Sequence, residues 1–200
     1  MTVEANPPVK AAGFVLAGGR STRMGQDKAI LQLGGLTLVE RCLGKLRTVC
    51  DEVAIAGGKP ELERYGRVIP DEAPGCGPLG GIVAALEQSA HEWNLFLPVD
   101  APFVPDKCLR ELLQVAAVGD WAAVIARADG RLQPLCGVYS RTMLPALRRE
   151  LAEGRWKVAP ALELAGRVHV MDFANVKWFA NLNTPAEFAE AAEHADALDA

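Results

Sequence analysis

The chain has 200 residues, half of them apolar and under a quarter charged, with a formal net charge of -4. A chain of that length buries about two thirds of its unfolded surface in one core, and its composition excludes a fibrous or extensively disordered protein. Mild acidity argues against a general nucleic-acid or anionic-membrane surface, so a polyanionic ligand has to be met by a local cluster of Lys and Arg.

In chain order, Met1 to Lys10 is polar and proline-bearing and reads as a flexible tail without the apolar core of a secretory signal. No apolar run in the sequence is long enough to cross a bilayer. Ala11 to Ala17 is a short apolar run ending in Gly18-Gly19, the pattern of a buried strand entering a tight loop. Thr37 and Glu40 form a capping box, which predicts a helix to about Thr48. Val53 to Ala56 and Arg67 to Pro70 read as strands, Leu79 to Ser89 as a helix, and Trp93 to Val99 as a strand running up to Asp100.

Pro105 suits the first turn of a helix reaching about Val118, because its missing N–H is an orphan donor there anyway. Trp121 to Arg127 and Leu135 to Tyr139 read as strands, followed by helical segments at Arg141 to Glu153 and Val158 to Ala165 and a late strand at Val168 to Phe173. Thr184-Pro185-Ala186-Glu187 is a second capping box and leads an Ala/Glu-rich helix. Continuously apolar strands alternating with helices predict an α/β fold of three layers with a mainly parallel sheet, as a single domain over residues 11–200. Ligands of such sheets gather at the carboxyl ends of strands, which selects Gly18-Gly19, Asp71 and Asp100.

The five cysteines (Cys42, Cys50, Cys76, Cys108, Cys136) are odd in number and form no C-x-x-C pair. They fit a reducing, cytoplasmic setting and read for the most part as small buried hydrophobes. Structural zinc is disfavoured, since the three histidines lie far from them in sequence.

Chemistry concentrates in the segment Leu16-Ala-Gly-Gly-Arg-Ser-Thr-Arg-Met-Gly-Gln-Asp-Lys28. Its glycines allow backbone N–H groups to approach an anion. Arg20, Arg23 and Lys28 add three cations to one loop of an acidic chain. Gly25 is separated from Lys28 by two residues, so this is not a Walker A loop, and the dinucleotide G-x-G-x-x-G spacing is absent. A solvated basic turn is the bland alternative; paired glycines directly after an apolar strand favour a phosphate site.

This segment resembles the signature loop of nucleotidyltransferases that activate a phosphate-bearing acceptor with an NTP, and its Gly-Gly form is similar to that of the molybdopterin guanylyltransferases. Pro70-Asp71, Gly77-Pro78-Leu79-Gly80-Gly81 and Pro98-Val-Asp100-Ala-Pro102 follow in that family's order, as do Gln133 to Tyr139 and Asn181-Leu-Asn183-Thr-Pro185. The resemblance implies a Rossmann-like nucleotidyltransferase fold and transfer of GMP from Mg-GTP to molybdopterin, with other molybdenum-cofactor biosynthesis or acceptor proteins as partners. It implies GTP contacts from Leu16, Ala17, Gly18, Gly19, Lys28, Asp71, Gly77, Pro78, Leu79 and Asp100, catalysis by Lys28, Arg23 and Asp100, and Mg2+ on Asp100. Gln133, Asn181 and Asn183 resemble acceptor-side residues. Arg155 and Lys157 are read either as contacts to the acceptor phosphate or as a solvated helix start. Ala56 stands where the family often carries Asn. Two other readings stay open: a cytidylyl- or sugar-phosphate nucleotidyltransferase, and a silent nucleotide-binding module.

Nucleotidyl transfer brings an anionic acceptor onto an anionic α-phosphate, so neutralisation and in-line positioning dominate and no strong base is needed. Mg2+ is commonly held by one or two carboxylates plus phosphate oxygens and water, so a single Asp100 suffices.

Overall fold

The computed structural model describes residues 9–18, 27–71 and 75–193. The tail expected over residues 1–10 therefore falls almost wholly outside the described residues. The described chain runs through β1 (Ala11–Leu16), β2 (Gln32–Leu33), β3 (Leu36–Thr37), α1 (Leu38–Arg47), β4 (Glu52–Ala56), β5 (Val68–Ile69), α2 (Gly77–Gln88) and β6 (Trp93–Pro98). It continues through α3 (Asp106–Val118), β7 (Ala123–Ala128), β8 (Arg131–Ser140), α4 (Leu144–Ala152), α5 (Val158–Ala165), β9 (Val168–Phe173) and α6 (Pro185–Glu193).

Seven strands form one sheet in the order β5-β4-β1-β6-β8-β7-β9. Both neighbours of β1, and the β4–β5 and β7–β9 pairs, are parallel. Only β8 is reversed, pairing antiparallel with β6 and β7. The reversal comes from a tight hairpin in which Asp129 and Gly130 have φ of 49° and 68°, the pair of positive values that a type I′ turn requires. That turn lengthens β8 by four residues at its start relative to the strand expected at Leu135.

Side chains of β1 alternate between two cores, as the two-residue period of a strand demands. Ala11 and Val15 join α1 and α3 on one face, with Ala191 of α6. Ala12, Phe14 and Leu16 join α2, α4 and α5 on the other. The three-layer α/β expectation is met. Both capping boxes form: Thr37 Oγ1 accepts from Glu40 N at 3.3 Å, and Thr184 Oγ1 accepts from Glu187 N at 3.2 Å.

Several boundaries differ from the sequence reading. Pro105 is the cap before α3 rather than its first residue, and α2 begins two residues earlier than Leu79. The segment from Arg141 opens with a 3-10 turn over Arg141–Met143 before α4. The β2–β3 hairpin was not expected at all; each of its strands is two residues long, too short for any periodicity.

Candidate functional site

Strand register builds the site. Leu16 pairs with Ala56 on one side and with Pro98 on the other, and Ala56 pairs with Ile69. These residues lie in one row across the carboxyl edge of the sheet. Two residues beyond the row on three of these strands come Gly18, Asp71 and Asp100, so residues scattered over some 80 positions of sequence leave the sheet side by side. Bonds from Ala17 N to Ala56 O at 3.0 Å and from Val99 N to Leu16 O at 3.0 Å carry the row one step past the strands.

Gly18 and Gly57 touch through backbone. A Cβ on Gly18 would stand 3.2 Å from Gly57 O and 3.4 Å from Asp71 Oδ2, and Gly57 itself has φ +69°. A side chain at Gly18 would crowd Gly57, which would have to give by a few tenths of an ångström. Asp71 sits against this pair. Its Oδ1 is buried and has no hydrogen-bond partner among the described residues, and burial raises its carboxyl above the ordinary aspartate range. A buried acceptor left unpaired is costly. The methyl of Ala56 is fully buried in the core under α2, so it offers no polar contact where the resembling family has Asn.

Lys28 opens a short 3-10 turn, Lys28–Ile30, capped by Asp27, whose Oδ1 accepts from Ala29 N at 3.1 Å. Ala29 is fully buried and anchors the turn to the core. Asp27 is also bridged to Lys59 at 3.0 Å, tying this turn to the loop after β4. The Lys28 ammonium reaches across the edge to Asp100 Oδ2 at 3.5 Å and donates to Asn183 Oδ1 at 2.7 Å. Leu182 N donates to Asp100 O at 2.8 Å, so the segment before α6 is strapped to the end of β6.

At the start of α2 Cys76 supplies no side-chain cap and Pro78 lies in the first turn. Leu16 and Leu79 are core side chains; any nucleotide contact from them is a backbone contact. Gly19, Arg20 and Arg23 lie outside the described residues.

The acceptor-side residues divide. Asn183 is drawn into the Lys28 cluster, whereas Asn181 is exposed and Gln133 lies in β8 opposite Ala126 at a register shift. Arg155 is engaged: Nε and Nη2 donate to the two oxygens of Glu150 at 2.7 and 2.5 Å, and Nη1 pairs with Glu153. Glu150 is fully buried, so Arg155 serves first as its counter-charge. Lys157, at the N-cap position of α5, is exposed and makes no capping bond with its side chain. Glu187, read from sequence only as part of the second capping box, accepts from Asn183 N and Thr184 N at 2.7 and 2.8 Å. A separate groove of about 380 Å³, lined by Ala122, Thr142, Pro145, Leu164 and Arg167 among others, opens at the amino end of β7 and β9 and takes no part in the site.

A lone hard carboxylate, one quarter exposed beside a lysine, is a donor set that fits a divalent cation completed by phosphate oxygens and water. Among the described residues no cluster of three or more His, Cys, Asp or Glu gathers to hold a metal by itself.

Comparison with known proteins agrees with this fold. Residues 13–165 match the model of the MobA-like NTP transferase domain. The chain is 36% identical over 192 residues to a probable molybdenum cofactor guanylyltransferase of Pelotomaculum thermopropionicum, covering 92% of each. It is 33% identical to the molybdenum cofactor guanylyltransferase of Vibrio cholerae, again over 92% of each chain. Among solved structures it is similar to molybdopterin-guanine dinucleotide biosynthesis protein A of Archaeoglobus fulgidus, with a TM-score of 0.80 and 25% identity over 93% of this chain and 99% of that one.

Proposed function

We infer the reaction from one premise, that this chain belongs to the MobA-like NTP transferase family. It is a nucleotidyltransferase, and the reaction we assign is transfer of GMP from GTP to molybdopterin with release of pyrophosphate. The names of its relatives support the guanylyl group and the acceptor. The observation that carries the site is the Lys28 ammonium standing 3.5 Å from the Asp100 carboxylate across the carboxyl edge of the sheet.

In this reading the backbone at Ala17 and Gly18, together with the first turn of α2, grips the triphosphate and the nucleoside. Lys28 neutralises charge that accumulates as the acceptor phosphate oxygen bonds to the α-phosphorus and the bond to the β-phosphate breaks, with Gly19 and Arg23 of the same loop as helpers. Mg2+ held by Asp100 would supply further neutralisation of the triphosphate. Asp71, whose buried Oδ1 lacks a donor among the described residues, accepts from the nucleotide, and Gly77, Pro78 and Leu79 present backbone to the purine. On the acceptor side we place Lys157, Gln133 and Asn181, with Arg155 fixing the loop that carries Lys157.

Five free thiols support a cytoplasmic setting, and among the described residues no helix is long and apolar enough to cross a membrane. The product has to be passed to proteins that use it, so cofactor-handling proteins are the partners of this reading.

A pyrophosphate-release screen tests it. Protein with Mg2+ and molybdopterin is expected to turn over GTP well above CTP and ATP. Equal use of CTP would remove the guanine assignment, and turnover only with a sugar phosphate would remove molybdopterin as acceptor.

A further inference from the structure

The two capping boxes of this fold are not alike. At α1 the Glu40 carboxylate accepts from the cap residue itself, Thr37 N at 2.8 Å and Thr37 Oγ1 at 2.6 Å. At α6 the Glu187 carboxylate takes two successive amides, that of the cap residue Thr184 and that of Asn183 before it. The second amide is not an orphan of the helix. Holding it fixes the backbone of Asn183, the residue whose carboxamide oxygen accepts from Lys28 at 2.7 Å.

The chain of contacts runs from Glu187 to the Asn183 backbone, from the Asn183 side chain to the Lys28 ammonium, and from there to Asp100. The strap is closed on its other side by Leu182 N on Asp100 O. A lysine ammonium has three donors on a flexible stem. One is directed at Asn183 and one more loosely at Asp100, which confines the stem and leaves a donor for phosphate. The two backbone amides, helped by the charge of Lys28, hold the Glu187 carboxyl below its ordinary range.

We propose that Glu187 is a positioning residue for nucleotidyl transfer: it sets the Asn183 carboxamide, which holds the Lys28 ammonium at the strand-end site. Asn183 thereby becomes a lysine-holding residue rather than an acceptor contact. The inference rests on the reading of Lys28 as the cation that meets the triphosphate.

Turnover of GTP in Glu187→Ala, Glu187→Gln, Asn183→Ala and Thr184→Ala tests it. Thr184→Ala removes the hydroxyl that caps α6 but keeps the Glu187 contact to Asn183. Glu187→Ala is expected to lower kcat/KM for GTP by about tenfold, less than the hundredfold that a displacement of about 1 Å can cost. Glu187→Gln, whose amide oxygen still accepts, recovers most of it, and Thr184→Ala stays within about twofold of wild type although it loses a cap. The Asn183→Ala/Glu187→Ala pair is expected to be no worse than Asn183→Ala alone. Equal losses in Glu187→Ala and Thr184→Ala that track Tm, or additive losses in the pair, would overturn the proposal and reduce Glu187 to a helix cap.

Lys28 is also read without substrate, by its rate of acylation with an amine-directed reagent followed by peptide mass spectrometry. Release of the ammonium speeds acylation of Lys28 equally in Glu187→Ala and Asn183→Ala, while an unchanged rate overturns the strap. A wild-type protein that consumed no NTP would defeat the assigned reaction, and the acylation rates would still judge the strap.

Discussion

Two ion-pair clusters built from separate elements, Lys28 with Asp100 and Arg155 with Glu150, are made on opposite terms. The first is loose: the partners stand 3.5 Å apart with side chains 18% and 25% exposed. The second is closed, a two-pronged contact from Arg155 to a carboxylate with no exposure, reinforced by Glu153. Water still reaches Lys28 and Asp100, so a ligand can join them without breaking a tight ion pair. Arg155 cannot leave without uncovering the Glu150 carboxylate that it neutralises. Cations near a substrate edge are thus not equivalent, and the weaker pair is the one available for chemistry.

The sharpest way to break this comparison is to remove the loose pair. Asp100→Asn is expected to abolish measurable turnover, a loss of about a thousandfold or more, with the far-ultraviolet circular dichroism of wild type. An active Asp100→Asn would undo the assignment. Lys28→Met follows, with a loss on the order of 3 kcal/mol at the transition state, or about a hundredfold in rate, and almost none in Tm. Arg155→Met is expected to do the reverse. Its Tm drops by about 2 °C because Glu150 loses its partner, while turnover falls only a few fold; a rate loss matching that of Lys28→Met at wild-type Tm would make Arg155 a substrate ligand.

The smallest effect is in pH. Burial raises the Asp71 carboxyl, so the folded protein takes up that proton at higher pH than the unfolded chain does. Ionised Asp71 then costs stability at neutral pH, and the cost fades as pH falls towards the ordinary value of 3.8. Asp71→Asn should accordingly be slightly more stable than wild type at pH 7 and equal to it near pH 3.8, while binding GTP more weakly. Glu150 has the opposite sign: hydrogen bonds from Arg155 lower its carboxyl, so its contribution is present above its ordinary 4.5 and is lost as pH falls through the lower folded value. Thermal melts of wild type and Asp71→Asn across pH 3.5 to 7.5 check this; a constant difference would show that Asp71 does not titrate as described.

Much of the fold was legible because local chemistry dictated it. Thr37 with Glu40 and Thr184 with Glu187 wrote two helix starts into four residues each, and the apolar runs at Ala11–Leu16 and Trp93–Pro98 could only be buried strands. The reversal of β8 is signalled only by the turn pair Asp129-Gly130, which strand periodicity does not register. The site was legible as residue types at strand ends, and the family resemblance supplied their roles.

Sequence by itself determined the period of each element, its caps and the concentration of Gly and Lys after the first strand, since these depend on neighbours within a few positions. Tertiary structure alone decided which charges face each other. Register placed Gly18, Asp71 and Asp100 in one row, and the strap before α6 brought Asn183 to Lys28. Such pairings span up to 155 positions and follow from how two cores pack against one sheet, which no local pattern encodes.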